Sequence, residues 1–394
     1  MEKNLSKKRL FYIFYFAVFL GGGIQGSFLN LYLNQAGMDK STVGFLNGMI
    51  QILCLAVFPL WGIAADRAKY KNSVLIIQLA ATIAALFAFA IFKSVWMIAV
   101  IMVVFSLVHN PMPSIYETIT MANVKENGWV YSPIRMSGTI GYSLMALIAG
   151  FWLSKREGLL FPIYIGVTLI AFIFALMLPK TRGTGAYAPE KKKSDLGSIL
   201  ILLKNKKIRN VLILSSIYTL TNTFNGTYYA MYMTELGGAY FLIGVGHMIM
   251  GLSEIPFHVG PGSRWLKKLG IEKSMVIVML VGTVRWLVAA VCKSPIILVI
   301  TMAFNGIMLV PTIVGLIEFL YDEAPDDLKT TAQTALKSPF QLAGQLIGNF
   351  AGAALVGRIG IRSVYLLCAP ICLLAGLYVG IPLLIGDLKA KKSR

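Results

Sequence analysis

Glu117, Arg135, Glu254 and Arg285 fall inside apolar stretches long enough to cross a bilayer, and Glu318 lies near the end of another. An ionisable side chain held in hydrocarbon is costly, so by default it marks a solute path or a proton relay. The first two form a level couple. In an antiparallel hairpin, residues 117 and 135 are equidistant from Glu126 in the polar turn Lys125-Glu-Asn-Gly128. At about 1.5 Å per helical residue, both sit roughly 9 Å beyond that turn and can pair. Tyr142, two helical turns past Arg135 on the same face, offers an aromatic platform beside a planar, bidentate hydrogen-bonding group. Solute contact is one reading; a structural ion pair that neutralises two buried charges is the other.

Glu254 and Arg285 are centred on Leu269 and Gly270, which puts each about 18 Å deep, near the middle of the membrane. A carboxylate at that depth is the best proton carrier in the chain. Burial and a nearby Arg act on its proton affinity in opposite senses, so movement of Arg285 relative to Glu254 would switch protonation. His247 and His258 share the Glu254 face at seven and four residues' distance and could extend a relay or simply pack. Glu318 precedes Asp322-Glu323 by four residues and reads as a solvated or gate-pairing carboxylate near the inner surface.

The elements that must hold these residues follow from composition. Hydrophobic residues are 57% and charged ones 13% of 394, a balance that excludes an ordinary soluble domain. Twelve apolar runs, at roughly 10–33, 41–65, 73–92, 95–124, 132–154, 160–179, 208–235, 238–259, 273–292, 296–321, 331–357 and 361–386, approach the ~20 residues that span a bilayer. All should be helical, because backbone polar groups in lipid must be satisfied within their own segment. The expected fold is an all-α membrane protein.

A net charge of +19 invites a nucleic-acid reading, but the placement of charge opposes it. Of 36 Lys and Arg, 26 lie in alternate loops that include both termini. That is the positive-inside pattern: both termini are expected in the cytoplasm, the host being the plasma (cytoplasmic) membrane. The basic N-terminus leads into a long apolar run without a small-residue cleavage site and reads as an anchor. Cys54, Cys292, Cys368 and Cys372 lack metal-ligand spacing, so free thiols and no metal are expected. With no phosphate loop and no nucleophile–base constellation, no cofactor and no enzyme activity are expected either.

Residues 180–207 are basic and carry Gly, Pro and Ser, which reads as a cytoplasmic linker, with a short surface helix near 195–204. It separates an N-terminal six-helix bundle, 1–179, from a C-terminal one, 208–394. Gly62-Ile-Ala-Ala-Asp66-Arg67 is echoed 198 residues later by Gly260-Pro-Gly-Ser-Arg264, as parallel repeats with a solute site at their interface would give.

Gly62-x-x-x-Asp66-Arg67-x-Lys69-x-Lys71 resembles the loop signature of the major facilitator superfamily. Arg135-Met136-x-Gly138-x-x-Gly141-Tyr142, eighteen residues after Glu117, resembles the sugar-binding stretch of its lactose-permease-like branch. The resemblance implies twelve transmembrane helices in two pseudo-symmetric six-helix bundles. It implies that Glu117 and Arg135 hold a sugar on which Tyr142 stacks, and that Glu254 with Arg285 couples protons. Gly62, Asp66 and Arg67 would latch the cytoplasmic side. Residue by residue, Asp66 stands before the third helix, where it can accept from free backbone N–H groups, and Gly62 lets a neighbouring helix approach closely. Arg264 in place of the acid makes the latch asymmetric. The chain departs from the branch at Asn305 to Pro311, which lack the tenth-helix His and Glu, at Asn222 and Asn225 in place of two aspartates, and at Phe340 in place of a Lys. Neither lactose nor strict proton coupling follows from the resemblance.

Neutral polar groups mark one face each of several helices: Gln25 and Asn30, Asn47 and Gln51, Asn222 and Asn225, and Gln341, Gln345 and Asn349. Amides donate and accept, which suits hydroxyl-rich or heteroaromatic solutes, and interhelical hydrogen bonding would use them equally. The sequence therefore points to a monomeric secondary transporter in membrane lipid, importing a saccharide, glycoside or nucleoside with protons. The alternatives are antiport efflux, although Ser137 to Gly150 lacks the Gly-Pro motif typical of such exporters, and facilitated uniport.

Overall fold

Long apolar runs bounded by short polar turns leave the backbone one way to satisfy itself, and the computed structural model, which describes residues 2–183, 203–259, 264–265, 268–323 and 338–392, is built from helices. Six precede the middle of the chain: α1 (Ser6–Gln35), α2 (Lys40–Arg67), α3 (Lys71–Ile91), α4 (Val95–Asn127), α5 (Tyr131–Lys155) and α6 (Glu157–Met177). After it come α7 (Lys206–Glu235), α8 (Tyr240–Val259), α9 (Ile271–Val291), α10 (Pro295–Leu320) and α11 (Ser338–Lys392). The proposed surface helix at 195–204 and the Gly260-Pro-Gly-Ser echo lie outside the described residues, apart from their last one or two positions.

Ten of these helices, among the described residues, are long and apolar enough to cross a membrane, against the twelve runs expected. Two facts account for the difference. Lys206–Glu235 has the length, at 30 residues, but its Asn- and Thr-rich middle keeps it below the apolarity of the others. The last two runs are continuous except at Gly360, whose φ of 78° and ψ of 164° bend the chain sharply without ending the helical pattern. Only glycine adopts such a conformation without strain.

Two helix starts are capped by short polar side chains, while Ser94 and Ser294 stand at helix starts without such a bond. Asp39 accepts from the Thr42 backbone N–H at 3.2 Å, and Asn205 accepts from Lys207 N–H at 2.9 Å. By contact the described chain divides in two: a first unit holds residues 2–183 with 238–248, and a second holds the remainder. Each unit is organised around a glycine-mediated helix pair. In the first, a Cβ on Gly23 would stand 2.5 Å from the Tyr142 carbonyl, and one on Gly141 2.5 Å from that of Phe16, so α1 and α5 meet backbone to backbone. In the second, Gly348 brings α11 as close to the Leu220 carbonyl of α7. Small residues permit this contact, which in lipid replaces hydrophobic driving force with packing. Around α1, the buried rings of Phe14, Tyr15 and Tyr116 interlock edge to face, and Phe11 meets Trp129 in the same way.

Candidate functional site

In the first unit, α4 does not run straight. It breaks at His109-Asn110-Pro111 into Val95–His109 and Met112–Asn127, because Pro111 has no N–H to donate and Pro113 starts the second segment. Irregular backbone at membrane depth is tolerated where it is buried in protein or lines a cavity. Here the break opens on a cavity of about 460 Å³ whose polar lining is Gln25, Gln51, His109, Asn110, Glu117 and Arg135, with Phe19, Phe58, Tyr116 and Tyr142 as its aromatic walls. That volume lies within the range of small-molecule sites. Gln25 begins a five-residue π-helical turn in α1, a distortion that often accompanies function.

The structure brings Glu117, Arg135 and Tyr142 to this one cavity, and the two charges do not close on each other. Among the described residues no ion pair within 4.0 Å joins them. Arg135 instead lies over the Phe19 ring, 4.4 Å from its centroid, and its Nη1 reaches Thr139 Oγ1 at 3.5 Å. Glu117 has the Tyr131 hydroxyl as a hydrogen-bonding neighbour and feels the Arg135 charge. A guanidinium fork and a carboxylate held apart across a cavity can each engage a hydroxyl between them.

Two polar lining residues escape sequence reasoning: His109, whose ring stacks on Phe105 at 4.9 Å and whose Nδ1 is buried without a hydrogen-bond partner, and Asn110, whose Nδ2 contacts Cys54 Sγ at 3.7 Å. The Pro111-Met-Pro113 interruption of an apolar run was the available signal.

In the second unit the couple expected from depth is separated. Glu254 accepts from Asn305 Nδ2 at 3.1 Å. Arg285 is fully buried, with Nη2 3.2 Å from Met302 Sδ, Nη1 3.7 Å from Met308 Sδ and the guanidinium 4.6 Å from the Trp286 ring centroid. No carboxylate lies within 4.0 Å of it among the described residues, and its Nε has no partner. Tyr218 lies within electrostatic range of both Glu254 and Arg285. Distorted backbone gathers here too: Met302–Phe304 is a 3-10 turn and Pro311–Gly315 a π turn within α10.

The remaining expected residues are placed as follows. Asn225 Oδ1 accepts from the Tyr365 hydroxyl at 2.9 Å, and Asn349 Oδ1 from Thr227 at 3.0 Å; both are interhelical bonds of α7 and α11. Asn222, Gln341 and Gln345 are half-buried on the same two helices. Asn47 donates to Asn30 at 3.0 Å, so that pair ties α2 to α1. His247 belongs to the first unit, with Nδ1 3.0 Å from the Ile243 carbonyl and its ring 6.4 Å from that of Tyr142. The His258 side chain lies outside what is described, and Glu318 is exposed.

Two gating expectations change. Asp66 does not cap the third helix: α2 continues through Arg67, so Asp66 sits in its last turn and pairs with Lys71 Nζ at 2.5 Å, the first residue of α3. A Cβ on Gly62 would meet nothing within 4 Å, so close helix approach is not what places glycine there. Arg67 is exposed beside it.

Helices of membrane-spanning length, one of them broken beside a polar cavity, define a membrane transporter architecture. The chain belongs to the MFS_1 like family, whose sequence model matches residues 5–367, and is an integral membrane protein of a transporter family. It is 25% identical over 382 residues to the maltose permease of Geobacillus stearothermophilus, covering 95% of this chain and 94% of that one. It is 24% identical over 381 residues to the multidrug resistance protein MdtG of Klebsiella pneumoniae (strain 342), covering 89% and 87%. Its fold matches the crystal structure of the nucleoside transporter NupG with a TM-score of 0.77 at 18% identity, over 95% of this chain and 98% of that one.

Proposed function

We propose that the protein is a proton-coupled importer of a small hydroxyl-rich solute, a saccharide or glycoside, working by alternating access as a monomer in the plasma membrane with both termini cytoplasmic. On this reading Lys206–Glu235 and the two arms on either side of Gly360 also cross the membrane, which makes twelve crossings, divided as 1–179 and 208–394 by the linker 180–207. One observation carries the reading: Glu117 and Arg135 share a cavity of about 460 Å³ without pairing directly, beside the amides Gln25, Gln51 and Asn110. Such a lining offers donors and acceptors at several angles and an aromatic face for a sugar ring. The maltose permease relative supports the same class of solute. Tyr142 is the stacking platform, Arg135 the bidentate donor and Glu117 the acceptor. Glu254 carries the proton and Arg285 modulates it; Asn222, Asn225, Gln341 and Gln345 serve the second unit's side of the path. Gly62, Asp66 and Arg67 form the cytoplasmic latch.

A nucleoside is the second reading, favoured by the four aromatic rings on the cavity wall. Uptake of labelled maltose, lactose and uridine into right-side-out and inside-out vesicles tests both. Accumulation of a sugar in right-side-out vesicles, dependent on an imposed proton gradient, is the expected result. Export of cationic drugs without sugar or nucleoside uptake overturns the reading.

A further inference from the structure

A second concave site lies in the first unit, at the end that carries the N-terminus and away from the solute cavity. It has a volume of about 790 Å³, and four cations, Lys7, Arg9, Lys180 and Arg182, share its lining with one carboxylate, Glu126. Positive-inside placement explains why basic residues gather at this end. It does not explain why they line a recess, or why part of that recess is rigidly built.

The segment after α6 is tied down residue by residue. Asn72 accepts from the Thr181 N–H at 2.8 Å and donates to the Pro179 carbonyl at 3.1 Å. Asn123 donates to Thr181 Oγ1 at 3.2 Å, and Lys71 N–H donates to the Thr181 carbonyl at 2.9 Å. Arg182 forms an isolated bridge with Tyr70, over whose ring the Lys180 ammonium sits at 5.3 Å. The backbone carrying two of the four cations is thus fixed, which lowers the ordering cost of binding an anion. Among the described residues Lys7, Arg9 and Arg182 have no ion-pair partner.

The other wall is apolar. Ile13 and Met177 are exposed on the outer surface of α1 and α6, and Phe174 joins them. Cations at one end of a recess and exposed aliphatic surface at the other match an amphiphile with a phosphate head.

We infer that this recess binds the phosphate of an anionic phospholipid headgroup, with Lys7, Arg9, Lys180 and Arg182 around the phosphate and the chains lying along Ile13, Phe174 and Met177. A soluble phosphate ester presents the same head chemistry, and the two sources separate by experiment. The full chain, purified in detergent, is measured by native mass spectrometry with phosphatidylglycerol, phosphatidylcholine or glycerol 3-phosphate. Phosphatidylglycerol should be retained over phosphatidylcholine, and Arg9→Gln/Arg182→Gln should lower its retention about tenfold or more, given the attraction of each basic residue for an anionic membrane surface. Arg9→Lys/Arg182→Lys should keep binding, and so should the charge-matched control Lys204→Gln/Lys206→Gln, exposed in the second unit. Displacement of the lipid by millimolar glycerol 3-phosphate, lost in the Gln variant, keeps the site and assigns it to a soluble phosphate. Equal retention in wild type and Arg9→Gln/Arg182→Gln overturns the inference, as does equal loss in the charge-matched control.

Discussion

The two units treat their buried Arg in opposite ways. Arg135 of the first unit faces a polar cavity, half-buried and stacked on Phe19, with Glu117 on the same lining. Arg285 of the second is sealed against Met302, Met308 and Trp286, with thioethers as its acceptors. Desolvating a charge costs several kcal/mol unless good hydrogen bonds repay it, and sulfur is a weak acceptor. Arg285 is therefore held at high energy, as suits a group that changes partner during a cycle. Arg135 is held ready, as suits a group that meets a ligand. Under the function proposed above, the contrast gives recognition to the first unit and charge storage to the second.

The largest expected effect would break the second half of that assignment. Glu254→Gln mimics a permanently protonated carboxylate and should abolish uphill accumulation while counterflow exchange of labelled solute continues. Arg285→Met should leave thermal stability unchanged or raised, because replacing a poorly paired buried charge with an apolar side chain of similar volume is often neutral or stabilising, yet it should also lose accumulation. Normal accumulation in either variant would remove the charge store and move proton coupling to another group, Glu117 being the next candidate.

Arg135→Lys sharpens the first half. It keeps the charge but loses the planar fork, so solute affinity should fall by roughly 10- to 150-fold, the equivalent of about 1.5–3 kcal/mol for a charged hydrogen bond. Glu117→Gln should fall within the same range. Thermal stability should hold in both, since no ion pair within 4.0 Å is broken. A dissociation constant unchanged by isothermal calorimetry would leave these residues a structural role alone.

What was legible in the sequence follows from what a single helix encodes. Hydropathy places the helices, and hairpin arithmetic sets Glu117 level with Arg135 and able to pair, whereas in the structure both line one cavity without an ion pair within 4.0 Å. The same arithmetic gives Glu254 and Arg285 a common depth but says nothing of rotation about the helix axis. Both side chains turn toward α10, Glu254 to Asn305 and Arg285 to Met302 and Met308 on either side of it, yet Arg285 has no carboxylate within 4.0 Å among the described residues. Asp66 was misplaced by less than one turn, because helix ends fray from sequence patterns that continue through Arg67. His109 and Asn110 stayed hidden because they follow an apolar run whose periodicity does not register a mid-membrane break.

A smaller effect compares how the two units start a helix. Asp39 caps α2 with a carboxylate and Asn205 caps α7 with an amide. The Thr42 hydroxyl, donating to Asp39, holds that carboxyl below the usual carboxylate range. A depressed folded pKa contributes stability that is present above about pH 4 and lost as pH falls through the folded value. Asp39→Ala should cost about 1 kcal/mol at pH 7, and less at pH 3, whereas Asn205→Ala should cost the same at both. Thermal melts at the two pH values decide it; parallel pH dependence in the two variants would mean that Asp39 caps without using its charge.

The smallest effect belongs to the proposed latch, which has a charge pair in the first unit and Arg264 at the echoed position of the second. Asp66 and Lys71 join the end of α2 to the start of α3, and the Asp66 side chain is 30% exposed. A pair this close to solvent is worth about 0.2–1 kcal/mol, enough to move a two-state equilibrium by at most roughly fivefold. Asp66→Asn should therefore shift the population toward the inward-facing state without changing solute chemistry, seen as lower reactivity of cysteines introduced at the outer ends of α1 and α7. Lys71→Gln should give the same shift, and the double variant should add nothing, because the pair acts as one unit. Additive effects in that cycle would separate the gate from the ion pair.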